Sequence, residues 1–373
     1  MRNKILNLSF IFIIIMLFSG CSEQHQLHQK LIIQGIGIDK TADNYKVTVQ
    51  ALDFQNPMSE DEPSLKIIEI SGESVTKALD NISKKTSLKP VYSQNLVLIL
   101  GEEAAKTGVN NFIDFFVRHC ETRPKVKICV TKSQTSEIFK LKYGEKSIKS
   151  KNIHDLIPQK LNSDILHFVS NLKNSYTDPW IAWLDIEEKK ESNKENNKEL
   201  VLKGIGIFKE DKLINLLENQ DAFGFMILKN VPNFNSCIIN TEQTGEITCV
   251  INNSKTDIKP EINNNNIKFC INLNINASVF SLDKNKNFYT HNFEETKKEL
   301  ENKLSEQIKQ ICNETLSKIL KLNIDVFEFS KILRNSCPKY FKLIRNNWRE
   351  HLKNVKFEIN QDIKITATGK EPI

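Results

Sequence analysis

Hydrophobic and polar positions fall into short alternating or helical patterns along most of the chain beyond residue 30. LIIQGIGI at 31–38 is rich in β-branched residues and predicts a strand. YKVTVQALDF at 45–54 alternates and pairs with it through a turn at Asp43–Asn44; SLKIIEIS at 64–71 predicts a third strand. Residues 73–88 place Val75, Ala78, Leu79 and Ile82 on one helical face, with Pro90 ending the helix. NLVLIL at 95–100 is almost wholly apolar and predicts a strand buried on both faces. A helix over 109–118 gathers Val109, Phe112, Ile113, Phe116 and Val117, and lets Asp114 reach Arg118. KVKICVTK at 125–132 predicts a strand and SQTSEIFKLK at 133–142 a short helix. Residues 161–173 form an amphipathic helix carrying Leu161, Ile165, Phe168, Val169 and Leu172, and DPWIAWLDIEE at 178–188 is extended.

The second half has a different order. A strand with a second GIGI opens it, with a hairpin through residues 207–216. A further hairpin joins 236–241 to 246–252, and IKFCINLNINASVF at 267–280 alternates after a run of asparagines. A long helix over about 294–322 aligns Leu300, Leu304, Ile308, Ile311, Cys312, Ile319 and Leu320. Pro338 opens a further helix, PKYFKLIRNNWREHLKN, with Tyr340, Phe341, Ile344, Trp348 and Leu352 on one face. The last segment, 355–368, is apolar at odd positions and predicts a half-buried strand. Together these elements predict an α+β protein with mixed sheets and packed helices. Residues 187–199, EEKKESNKENNKE, hold no apolar side chain and predict a linker. It would separate an α/β region at 31–186, either one unit or two (31–145 and 146–186), from an α+β domain at 200–373.

The first 21 residues add an address. Arg2 and Lys4 precede an apolar run from Ser9 to Phe18, long enough for a signal segment and too short to span a membrane. Ser19–Gly20–Cys21 resembles a bacterial lipobox, with Phe18 where Leu is usual. The reading is a signal peptide at 1–20, lipid on the Cys21 sulfur, a polar tether at 21–30, and a soluble body. One acyl chain binds a bilayer only marginally, whereas two or three on one cysteine hold it almost permanently.

Composition changes this picture little. The net charge of +6 comes from lysines spread along the chain, and nothing in it points to nucleic acid. Lys339, Lys342, Arg345, Arg349 and Lys353 make one late helix basic; a solvated face is the simpler reading and contact with anionic lipid the other. The paired GIGI suggests phosphate loops, but the third glycine of a dinucleotide fingerprint falls on Lys40 in one copy and Lys209 in the other. The glycines therefore predict close approach of another backbone. Seven cysteines besides Cys21 cannot all pair within one chain. A hairpin turn centred on Thr244–Gly245 would set Cys249 opposite Asn240 and turn Cys237 to the other face, excluding a bridge. His119, Cys120 and Cys129 have no metal-site spacing, and His25 and His28 sit on the tether. No catalytic, cofactor or metal constellation emerges, and a non-enzymatic role is expected.

In order along the chain stand Cys21, GIGIDKT (35–41), NLVLILGEEAAKTGVNNFIDFFVRHCETRPKVKICVTK (95–132), DVFEF (325–329), Pro338–Lys339, Trp348, and the final strand to Gly369. This series resembles the Ger(x)C family of spore germination lipoproteins, the C subunits of nutrient germinant receptors. The family usually has glycines where Glu328 and Ser330 stand here, and a tryptophan or Asp–Arg pair after the lipidated cysteine that SEQHQLHQK lacks. The resemblance implies a mixed α+β fold and a place on the outer face of the spore inner membrane. It implies partnership with a membrane-spanning A subunit and a permease-like B subunit, in a complex that senses nutrients and starts release of ions and dipicolinate. The alternative from a different class is a solute-binding lipoprotein of a transporter, which would need two lobes of alternating parallel strand–helix units.

Overall fold

The structure is a computed structural model describing residues 29–54, 64–118, 123, 125–143, 146–188, 198–231, 236–241, 245–264, 266–282, 293–368 and 371–372. Strands β1 (Lys30–Lys40), β2 (Tyr45–Asp53) and β3 (Ser64–Gly72) form an antiparallel meander. Helix α1 (Val75–Thr86) buries Val75, Ala78, Leu79 and Ile82 and starts where the Ser74 hydroxyl accepts the Lys77 N–H at 3.1 Å. It ends at Ser87, left-handed at φ 56°, rather than at Pro90, which lies in the short strand β4 (Lys89–Val91).

Strand β5 (Val97–Gly101) is buried throughout, as its unbroken apolar run demands, and leads into α2 (Glu102–Thr107) and α3 (Asn110–Arg118). The Asp114–Arg118 pair closes at 2.7 Å, but Val117 is 45% exposed and does not join Phe112, Ile113 and Phe116 inside. Strand β6 (Lys127–Thr131), helix α4 (Thr135–Lys140), the small hairpin β7 (Lys142–Tyr143) and β8 (Lys146–Ser147), and α5 (Ser150–Leu156) follow. The expected helix over 161–173 is shorter: Asp164 caps it, accepting the His167 N–H at 2.9 Å, and α6 spans Ile165–Leu172, leaving Leu161 in a preceding 3-10 turn.

Strand β9 (Trp180–Glu188) pairs antiparallel with β10 (Lys198–Lys209), which pairs with β11 (Lys212–Glu218). The charged stretch at 187–199 thus joins neighbouring strands of one sheet; its middle, 189–197, lies outside the described residues. That sheet has nine strands: β11-β10-β9-β6-β5-β1-β2-β3, with β4 also on β1. Its centre, β1, β5, β6 and β9, is parallel, and antiparallel hairpins flank it. Helices cover both faces: α1, α3 and α6 pack on one core, while α4 and α5 pack on the other.

The first GIGI is a seat for α4 and α5. Cβ atoms on Gly35 and Gly37 would fall 2.3 Å from the Ser150 hydroxyl of α5 and the Thr135 hydroxyl of α4, so here helix side chains, not a backbone, need the room. Asp39, next in the phrase, accepts the Thr135 hydroxyl at 2.6 Å and the Thr135 N–H at 3.2 Å, fixing the start of α4. Burial raises the Asp39 carboxyl above its ordinary range, against the Thr135 hydrogen bonds that lower it. In the second GIGI the expectation of a close backbone holds at Gly204, where a Cβ would sit 1.9 Å from the Leu217 carbonyl oxygen.

After β11 comes α7 (Asn219–Leu228), buried from Ala222 to Leu228 and absent from the sequence reading because an all-apolar segment shows no stripe. Gly224 lets α7 meet the long helix α8 (Phe293–Lys321); a Cβ there would be 2.3 Å from the Thr315 hydroxyl. Strands β12 (Ser236–Thr241), β13 (Gly245–Asn263) and β14 (Asn266–Leu282) form an antiparallel meander. One register expectation fails. Thr241 opposes Gly245, and Cys237 lies directly opposite Cys249. Cys249 faces Cys237 rather than Asn240, an odd slip of three residues that reverses every side chain, so the two cysteines share the buried face.

Beyond α8 lie α9 (Phe329–Ser336), α10 (Pro338–Ile344) and α11 (Trp348–Lys353). The last two, expected as one helix, are separated by a 3-10 turn at Arg345–Asn347. Strand β15 (Lys356–Thr368) returns parallel to β14, and β16 (Glu371–Pro372) completes a five-stranded sheet ordered β12-β13-β14-β15-β16. Leu300, Leu304, Ile308 and Cys312 of α8 share one continuous core with this sheet, with α7 and with one face of the nine-stranded sheet.

Candidate functional site

The polar groups that matter most lie where the two sheets are joined. Asp178 precedes β9 and Asp325 follows α8; both are buried. The Asp325 N–H donates to Asp178 Oδ2 at 2.7 Å, and the Asp178 N–H donates to the Asp325 carbonyl at 3.2 Å. The Asp325 carboxylate caps α9: Oδ1 accepts the Phe329 N–H and Oδ2 the Ser330 N–H, each at 2.8 Å. Oδ2 also accepts the Trp348 indole N–H at 3.2 Å. Arg349 donates to Asp178 Oδ2. Of the basic residues in this last helical stretch, Arg349 therefore turns inward, while Lys339, Lys342, Arg345 and Lys353 are exposed. Within DVFEF, Asp325 is the hub and Phe327 and Phe329 enter the core, with Phe329 packed on Phe269 at 4.7 Å between ring centroids.

Glu328 holds a left-handed backbone, φ 62°, that a glycine would adopt freely. Its carboxylate meets the Lys229 ammonium at 2.9 Å, and that ammonium sits 3.8 Å from the centre of the Trp180 ring. Burial pushes Lys229 below its ordinary range although Glu328 pulls it up. Burial opposes Glu328 ionisation, but Lys229 and Lys331 outweigh it and hold the carboxyl low.

Burial likewise lifts the Asp325 carboxyl to about 6, against the Ser330 and Phe329 hydrogen bonds and Arg349, which lower it. A raised carboxyl binds its proton more tightly folded than unfolded, near 3.9. Its contribution is therefore fully present below about pH 4 and is lost as pH rises through about 6. Relative to Asp325→Asn, the native chain should lose roughly 2–3 kcal/mol across that window. Urea midpoints of both proteins from pH 4 to 7 check this; parallel profiles contradict it.

Other candidate residues are placed as follows. Cys21, His25, His28, His119 and Cys120 lie outside the described residues. Cys129 is buried in β6, where burial pushes its thiol far up. Among the described residues no group of three or more His, Cys, Asp or Glu could hold a metal ion. An open cleft of about 500 Å³ lies where α5, β10 and α7 meet, lined by Leu156, Leu200, Leu202, Met226 and the Glu187–Lys203 pair. Asp178, Lys229 and Arg349 were not singled out for this junction from the sequence, because their partners are about a hundred or more residues away.

The geometry defines a two-part α+β body locked by a buried polar junction. Residues 23–186 match the family model described as "Spore germination protein N-terminal domain", and residues 203–369 match "Spore germination B3/ GerAC like, C-terminal". The chain belongs to this GerAC-like family of spore germination proteins, the Ger(x)C family whose motif order it carries. It is 21% identical over 240 residues to the putative spore germination protein YfkR of Bacillus subtilis, a match covering 62% of each chain. Against spore germination protein A3 of the same organism it is 31% identical over 155 residues, covering 39% of this chain and 40% of the relative. The matched regions thus span less than two thirds of these relatives. The crystal structure of the GerBC protein superposes with a TM-score of 0.56 at 21% identity, covering 89% of this chain and 96% of that one. That likeness establishes a shared fold.

Proposed function

We propose that this chain is a subunit of a spore nutrient germinant receptor, acting in germination as a non-catalytic interaction and scaffold module. The observation that carries the reading is the pair of family matches, N-terminal then C-terminal, along residues 23–186 and 203–369. The matched spans also support two working units divided near 187–199, with the Asp178–Asp325–Arg349 junction tying them together. Partners in this reading are a membrane-spanning A subunit and a permease-like B subunit.

Among the described residues no helix is long and apolar enough to cross a membrane. The lipobox-like Ser19–Gly20–Cys21 after an apolar run supports attachment by acyl chains on Cys21, with the body on the outer face of the spore inner membrane. The transporter reading finds less support, because the second sheet runs through three antiparallel strands before its one parallel return instead of alternating strand and helix. Replacing Cys21 with alanine in a sporulating host should move the protein from the membrane to the soluble fraction and impair germination with the cognate nutrient. Retention of the variant in washed membranes together with normal germination would refute the anchor.

A further inference from the structure

The second sheet holds a cluster of thiols that the receptor role does not use. Cys237 lies on β12, an edge strand, directly opposite Cys249 on β13. Directly opposed residues of an antiparallel pair have Cα atoms about 4.5–5.5 Å apart, inside the roughly 4.4–6.8 Å range of a disulfide. Both side chains are on the buried face, at 5% and 0% exposure. Each Sγ therefore leaves its strand on the same side as the other. The Cys249 sulfur also acts electrostatically on Cys237, and Cys237 on Cys312 of α8, so the three sulfurs form one group. All three are free thiols in the structure. Ile239, Ile247 and Ile251 flank Cys237 and Cys249 on the same strands and Val279 pairs with Cys249, all buried. Burial pushes Cys237 up to about 12 and Cys249 up to about 11.

We propose that Cys237 and Cys249 are a disulfide-forming pair whose bond fastens edge strand β12 to the rest of its sheet. The oxidant is a low-molecular-weight disulfide. Buried protonated thiols react slowly, so the bond forms when β12 frays from the sheet edge and Cys237 ionises. The Cys237 thiolate attacks one sulfur of the oxidant, whose own S–S bond breaks and releases one small thiolate. The Cys249 thiolate then attacks Cys237 Sγ and displaces the second. Two electrons pass from the protein to the oxidant, and the protons of both cysteines end on the two small thiols released. Cys312 is the third thiol of the group and stays reduced. The pairing is a property of the β12–β13 ladder and stands independently of the receptor assignment.

The test uses the full chain in detergent, incubated at pH 8 with oxidised glutathione, then alkylated under denaturing conditions and mapped by peptide mass spectrometry. The expected product is a Cys237–Cys249 cross-linked peptide, with two glutathione thiols released per bond. The melting temperature should rise on the order of 5 °C, since the link closes a short loop in the unfolded chain. Cys312→Ser should form the same cross-link, and Cys249→Ser should not. Recovery of Cys237 as a glutathione adduct with Cys249 alkylated, or of a Cys237–Cys312 product instead, overturns the proposal.

Discussion

Replacing Asp325 by alanine is expected to lower folding stability by about 3–5 kcal/mol. The carboxylate is completely buried and accepts three hydrogen bonds, from the Phe329 and Ser330 N–H groups and the Trp348 indole. Alanine keeps the backbone bond to Asp178 but leaves those donors without their acceptor. Each orphaned buried donor costs roughly 1–3 kcal/mol. The start of α9 loses its cap, and Arg349 loses part of the negative field that it shares with Asp178. Urea denaturation monitored by tryptophan fluorescence should show a lower midpoint with an unchanged slope. A shift worth less than about 0.5 kcal/mol, the usual range for surface changes, would mean that the junction is not a structural hub.

Trp348→Ala should cost a similar amount, about 3–5 kcal/mol, for a different reason. The side chain is 1% exposed and packs edge-on against Phe341 at 6.0 Å between ring centroids. Removing it empties a large volume where α10 and α11 meet the core. Trp348→Phe keeps most of that volume and removes the indole N–H from Asp325, so it should lose only about 1 kcal/mol. Because Trp348 and Asp325 are hydrogen-bonded, the double variant should be less destabilised than the sum of the singles. Strict additivity would indicate that the Trp348–Asp325 bond contributes nothing.

Much of the fold was legible because burial imposes a period. The alternation of 45–54 and 267–280 became β2 and β14, and the stripe of Leu300, Leu304 and Ile308 became the core face of α8. Three kinds of feature escaped. Helix α7 is buried across Ala222–Leu228, so no polar face marks its turns. The β12–β13 register depends on where the chain reverses: Thr241 opposes Gly245, whereas a turn centred on Thr244–Gly245 would separate Cys237 from Cys249, which the ladder opposes. The break at Arg345–Asn347 carries no proline or glycine to announce it.

The junction was legible only in pieces. Asp325 and Trp348 appeared as family markers with no role, and Arg349 as part of a basic face. Asp178, the partner of Asp325 and Arg349, lies 147 residues before Asp325, a distance no local pattern can bridge. The GIGI phrase is legible in part. Its glycines do make room, but at Gly35 and Gly37 the room is taken by α5 and α4 side chains, with Asp39 as the hydrogen-bonding anchor for α4.

The central claim is that this family member works in a nutrient receptor, and the germination of spores lacking the chain tests it most directly. Spores of the deletion strain, the parent and a complemented strain would be exposed to a panel of single nutrients while dipicolinate release is followed. The account predicts that the deletion abolishes or sharply slows release with at least one nutrient and that the intact chain restores it. Identical release from deletion and parent spores with every nutrient to which the parent responds would contradict it.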